Sequence, residues 1–283
     1  MKRNHSDEDD EASTVIELLA VLVILGVVAV LVVPTFHSLH KPDALQAASS
    51  QLLGAVSRAR QMAISQGTTV YMVFVPPDFW NDPPCSSNLA PGLTENDRTA
   101  FLNLSQKQLA GYNYLVLHGK GDQPGTASPR YLSAWQTLPD GIFIAEKKFE
   151  MMSNEYFTVT DVASPEDTFR IYGFNSSTRL PFPTAETKPY SPAQPYVKVP
   201  YIAFNYLGQL TTFESSPQAV SIHECIPLAV GSVIYAKDPV TKAPIMAAAS
   251  AMELPPGNST NSYHAVQIDW MTGRAALKRH QVQ

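Results

Sequence analysis

Hydrophobic and polar positions divide the chain into three stretches with different periods. From Leu18 to Val33 every residue is apolar or glycine. With Val15 and Ile16 the run approaches the roughly 20 residues that a helix needs to cross about 30 Å of hydrocarbon. After Pro34 the pattern becomes amphipathic. Leu45, Ala48, Leu52, Ala55, Val56, Ala59, Met62 and Ala63 recur at steps of three and four, which is one apolar helical face. Arg58, Arg60 and Gln61 lie off that face. Asp43, following Pro42, suits a helix start, and Gly67 is a natural stop. The spacing predicts a helix from about Thr14 to Gln66, kinked or loosened near Pro34 and Pro42.

From Thr68 onward the pattern is that of strands. Predicted strands lie in 68–75, 112–118, 141–145, 169–174, 199–213, 231–237 and 263–277. The stretch 199–213 reads as a hairpin around Leu207-Gly208, and 263–277 as another turning at Thr272-Gly273. Two proline-rich pieces, 75–92 and 179–200, read as long loops. Composition agrees with this division: 23 prolines against 14 glycines and 16% charged residues favour a strand-and-loop domain over a helical bundle. The net charge of −5 without a basic cluster argues against a nucleic-acid partner. Cys85 and Cys225 form no CxxC pair; they are either one disulfide or two free thiols, since spacing in sequence does not set their distance.

The apolar run carries a carboxylate near its start, Glu17. A secretory signal peptide does not explain it. Such a peptide has a shorter apolar core and a small-residue cleavage site, whereas "PTFHSLHKP" follows here. In a plain single-pass anchor Glu17 is a pure cost. A partner for the charge would remove that cost.

The segment "STVIELLAVLVILGVVAVLVVP" resembles the N-terminus of type IV pilins and type II secretion pseudopilins. The resemblance implies a leader cut by a membrane prepilin peptidase after a small residue, with methylation of the new N-terminus. On this sequence Ala12 ends the leader, Ser13 becomes the N-terminus, and Glu17 falls at the fifth mature position. Pro34 matches the proline that follows the family's apolar run. The implied role of Glu17 is assembly: its carboxylate meets the α-amino cation of a neighbouring subunit, because an unpaired charge is costly at low dielectric and a paired one much less so. The leader "MKRNHSDEDDEA" departs from the family's basic leaders, since Lys2 and Arg3 are outnumbered by Asp7, Glu8, Asp9, Asp10 and Glu11. Ala12 and Ser13 stand where Gly and Phe are commoner.

In the remainder, "SRARQMAISQGTTVYMVF", "LPDGIFI", "YIAFNYLGQL" and "VQIDWMTGRAAL" resemble the head of the minor pseudopilin H group. The expected fold is therefore α+β and pilin-like. It has a long N-terminal helix, with a membrane half and an amphipathic half, packed on an antiparallel β-sheet head with long Pro-rich loops. The expected divisions are a leader at 1–12, a transmembrane or filament-core helix at 13–34, the amphipathic half at 35–67 and a periplasmic head at 68–283.

No HExxH, GxSxG or P-loop pattern occurs. His37 and His40 read as marking a membrane–water boundary, and "HEC" at 223–225 as part of a strand. The expectation is a non-enzymatic protein with no cofactor and no metal. The expected partners are other pilin or pseudopilin subunits, the prepilin peptidase, an inner-membrane assembly platform and inner-membrane lipid, with no nucleic acid. The competing reading is a single-pass, membrane-anchored envelope protein whose head binds a ligand or partner without assembling.

Overall fold

The computed structural model describes residues 7–77, 79, 95–119, 122, 129–160, 168–176, 179–181, 196–212, 221–245, 247–261 and 263–279. Within the first helix, side chains are described at 18–23 and from 43 on. Helix α1 spans Asp7–Gln66, with Pro34 and Pro42 inside it. The chain divides into two units, Met1–Asp43 and Ala44–Gln283.

The second unit is mostly antiparallel sheet. Its strands are β1 (Val70–Phe74), β2 (Gly111–Val116), β3 (Arg130–Tyr131), β4 (Gln136–Thr137), β5 (Ile142–Ile144), β6 (Tyr156–Thr160), β7 (Thr168–Tyr172), β8 (Arg179–Pro181), β9 (Tyr196–Lys198), β10 (Tyr201–Phe204), β11 (Leu210–Thr211), β12 (Glu224–Ile234), β13 (Ser250–Glu253), β14 (His264–Ile268) and β15 (Ala275–Arg279). The larger sheet has the order β11-β10-β1-β2-β3, with β4 also on β2. The second has the order β13-β12-β14-β15, with β5 also on β12, and β6-β7 and β8-β9 form separate ribbons.

The expected fold is corrected here. The described residues are not one sheet carrying a long helix with a membrane half. They form several antiparallel sheets, and among the described residues no helix is long and apolar enough to cross a membrane. The physical reason for the added layers lies in the strands. "VYMVF" of β1 is apolar at every position, "YIAF" of β10 likewise, and all of β1, β2 and β10 is buried. A strand without alternation must be covered on both faces.

One face of the larger sheet carries Val70, Met72, Phe74, Tyr112, Tyr114, Ile202 and Phe204. These pack in one core with Ala48, Leu52, Ala55, Val56, Ala59 and Ala63 of α1 and with Ile226, Leu228, Val266 and Ile268 of the second sheet. The opposite face carries Tyr71, Val73, Leu115 and Tyr201, covered by Phe101 and Leu104 of the helix Glu95–Ser105 and by Leu180 and Val197 of the β8-β9 ribbon. The expected picture lacked this second core.

Polar contacts fix the helix in register. Gln51 Nε2 donates to Tyr112 Oη at 3.0 Å and to the Thr137 carbonyl at 2.8 Å, and Tyr114 Oη donates to the Ala55 carbonyl at 3.1 Å. Near the end of α1, Arg60 Nε donates to the Thr272 carbonyl at 2.7 Å, in the turn between β14 and β15. That turn abuts the β10-β11 turn, and the Leu210 amide donates to the Trp270 carbonyl at 3.0 Å, joining the two sheets.

Candidate functional site

The polar feature that stands out in the second unit is built around a buried lysine. The segment "AEKKFE" follows β5, and its residues Lys147–Glu150 form one helical turn. The turn exposes Lys147 and buries Lys148 completely. Lys148 Nζ donates to the Tyr172 carbonyl at 2.6 Å and to Glu224 Oε1, and it lies 4.6 Å from the centre of the Phe174 ring. Three favourable partners thus surround a cation whose burial would otherwise be prohibitive. Glu224 opens β12, and its side chain is 20% exposed. Its second oxygen, Oε2, accepts no hydrogen bond from the described residues.

Glu224 stands in the wall of a cavity of ≈ 200 Å³. The walls come from the segment before β12 (Ile222 and His223), from β7 and the residues just after it (Tyr172 and Asn175), and from the β10-β11 hairpin (Ile202 and Leu210). His223 is fixed at the rim, with Nδ1 3.5 Å from Asp269 Oδ2. Asp269 Oδ1 accepts hydrogen bonds from the Thr272 amide at 2.7 Å and the Thr272 hydroxyl at 2.8 Å, and these hold its carboxyl below the usual carboxylate range.

Cys225, next to Glu224, points to the other side of β12 and is a free, buried thiol packed with Val159, Ile171 and Tyr263. Burial pushes it up to about 12, with the Glu224 charge adding to the shift, so it is protonated at neutral pH. Cys85, the other half of the expected alternative, lies outside the described residues.

The residues expected to carry processing and assembly all fall in the first unit. Ala12, Ser13, Glu17 and Pro34 lie within the span of α1, and their side chains are outside the described residues, as are those of His37 and His40. The leader residues 1–6 are also outside the described residues, and so is most of the two proline-rich pieces. Among the described residues no group of three or more His, Cys, Asp and Glu is placed to hold a metal ion.

Sequence reasoning missed the Lys148–Glu224 pair and the cavity. "HEC" was legible as part of a strand, but nothing in "AEKKFE" distinguishes a buried lysine from an exposed one. The chain matches no family model, no characterised protein and no solved structure.

Proposed function

We propose that this protein is a non-catalytic, minor structural subunit of a filament of the type IV pilus or type II secretion pseudopilus kind. A prepilin peptidase removes the leader ahead of Ser13, and the chain assembles through its N-terminal segment. One observation carries the reading. Leu18, Leu19, Val21, Leu22 and Val23 are all exposed in the single chain, at 49–65% of their surface. A contiguous apolar stretch this exposed among the described residues calls for lipid or neighbouring subunits. Before assembly, lipid of the inner membrane covers it and the head lies in the periplasm. In the filament, the same stretch of neighbouring subunits replaces the lipid, with an assembly platform and the other subunits as partners.

The spacing of Ala12, Ser13, Glu17 and Pro34 supports the same reading, because cleavage creates a cation one helical turn from Glu17. Replacing Glu17 by alanine is expected to leave the protein in the membrane fraction and to remove it from filaments sheared from cells. Incorporation equal to that of the unaltered protein would sink the pairing mechanism.

A further inference from the structure

The N-terminal assembly proposed above does not use the cavity beside Glu224, and the chemistry of its wall selects a ligand. Lys148 is wholly buried, so the Glu224 charge is neutralised from behind by a group that no ligand can reach. Desolvating such a pair is expensive, and two apolar residues of the same volume would fill the space at lower cost. The arrangement does one thing that an apolar pair cannot. It commits Oε1 to Lys148 and leaves Oε2, on a residue that lines the cavity, without a hydrogen-bond donor among the described residues.

The rest of the wall is neutral and mixed. Asn175 and Thr211 bring amide and hydroxyl groups, and His223 brings an imidazole at the rim. Ile202, Leu210 and Ile222 bring aliphatic surface. The carboxylate is already paired, so little net charge remains to attract an ion. What remains is one strong acceptor, several groups that both donate and accept, and apolar surface against which C–H groups pack. That combination matches a molecule with many hydroxyls and no charge.

We infer that this cavity binds a neutral polyhydroxylated ligand of monosaccharide size, with Glu224 Oε2 accepting from a ligand hydroxyl, His223 at the rim and Lys148 positioning the carboxylate. The inference goes beyond the filament reading and holds whether or not the chain assembles.

The test is saturation-transfer NMR on the full chain in a detergent without a sugar headgroup. The probes are methyl α-D-glucopyranoside, methyl α-D-mannopyranoside and methyl β-D-galactopyranoside, with methylammonium chloride as a competing cation. Transfer to the ring protons of at least one glycoside is expected. Glu224→Gln keeps the shape and removes the charged acceptor, so it should raise the dissociation constant about tenfold. His223→Ala, at an exposed rim position that leaves the ion pair intact, should also weaken binding, and it decides the matter alone if Glu224→Gln fails to fold. The inference is overturned by no transfer to any of the three glycosides, by equal transfer in the wild type and in His223→Ala, or by displacement of the glycoside by methylammonium.

Discussion

Glu224→Ala is expected to lower the thermal unfolding midpoint by about 6–12 °C, the equivalent of about 3 kcal/mol in a unit of this size. The loss comes from the partner rather than from the residue replaced. Lys148 has no exposure, and its Nζ keeps only the Tyr172 carbonyl and the Phe174 ring once the carboxylate is gone. Removing one member of a buried pair leaves an uncompensated charge, typically a loss of about 3–5 kcal/mol. The lower end applies because Glu224 is 20% exposed, which lets water reach that side of the pair. The control is the double replacement Lys148→Met with Glu224→Gln. It removes the cation together with its carboxylate, and most of the lost stability should return. A double variant no more stable than Glu224→Ala would show that the loss came from packing instead of charge. Thermal melts of the full chain, followed by circular dichroism, read both results.

The second large effect is expected at the junction of the two hairpin turns. Gly273 has φ +63°, and a Cβ built there would meet the carbonyl oxygen of Gly208 inside van der Waals contact. The neighbour is backbone, so it cannot rotate away. Gly273→Ala therefore adds two costs. A non-glycine residue in the left-handed region costs about 1–2 kcal/mol. Parting the turns also loosens the Leu210 amide to Trp270 carbonyl bond and the Arg60 contact to Thr272, at about 1 kcal/mol for each bond lost. The sum is a loss of about 3 kcal/mol. Gly67→Ala separates the two costs. Gly67 has φ +64°, yet nothing lies within 4 Å of a Cβ placed there. It should show the conformational cost alone, about 1–2 kcal/mol. Equal losses at Gly67 and Gly273 would refute the close approach of the turns.

What could be read from the sequence and what could not have separate physical causes. The face of α1 that packs on the sheets was legible because Ala48, Leu52, Ala55, Val56, Ala59 and Ala63 repeat with the helical period, and period is a local property. The two hairpins were legible because Leu207-Gly208 and Thr272-Gly273 supply the turn chemistry that short loops require. The two ends of β12 were read separately, as a strand piece at 223–225 and a strand at 231–237, while β12 runs unbroken over Glu224–Ile234. Pro227 lies inside it, paired opposite Ala265, and proline ordinarily argues against a central strand. The very short β3 and β4 carry too few residues to show a period. The second core was hidden for a different reason. An unbroken apolar strand says that both faces are covered but not by what, and the cover comes from the distant segments 95–105, 179–181 and 196–198.

The site was the least legible part. Lys148 and Glu224 are far apart in sequence and meet because β5 pairs antiparallel with β12, which carries the turn after β5 toward the first residue of β12. Lys147 and Lys148 are chemically identical, and only the tertiary fold decides which one is buried. Glu17, by contrast, stood out at once, because a carboxylate beside an apolar run contradicts its surroundings.

The central claim is that the N-terminal segment is processed for assembly, and the mass of the mature N-terminus tests it most directly. Protein purified from membranes of a host that has the prepilin peptidase should begin at Ser13, with one methyl group on its α-amine and residues 1–12 absent. Recovery of the chain still beginning at Met1, with the acidic leader intact and no methyl group at Ser13, would contradict the account.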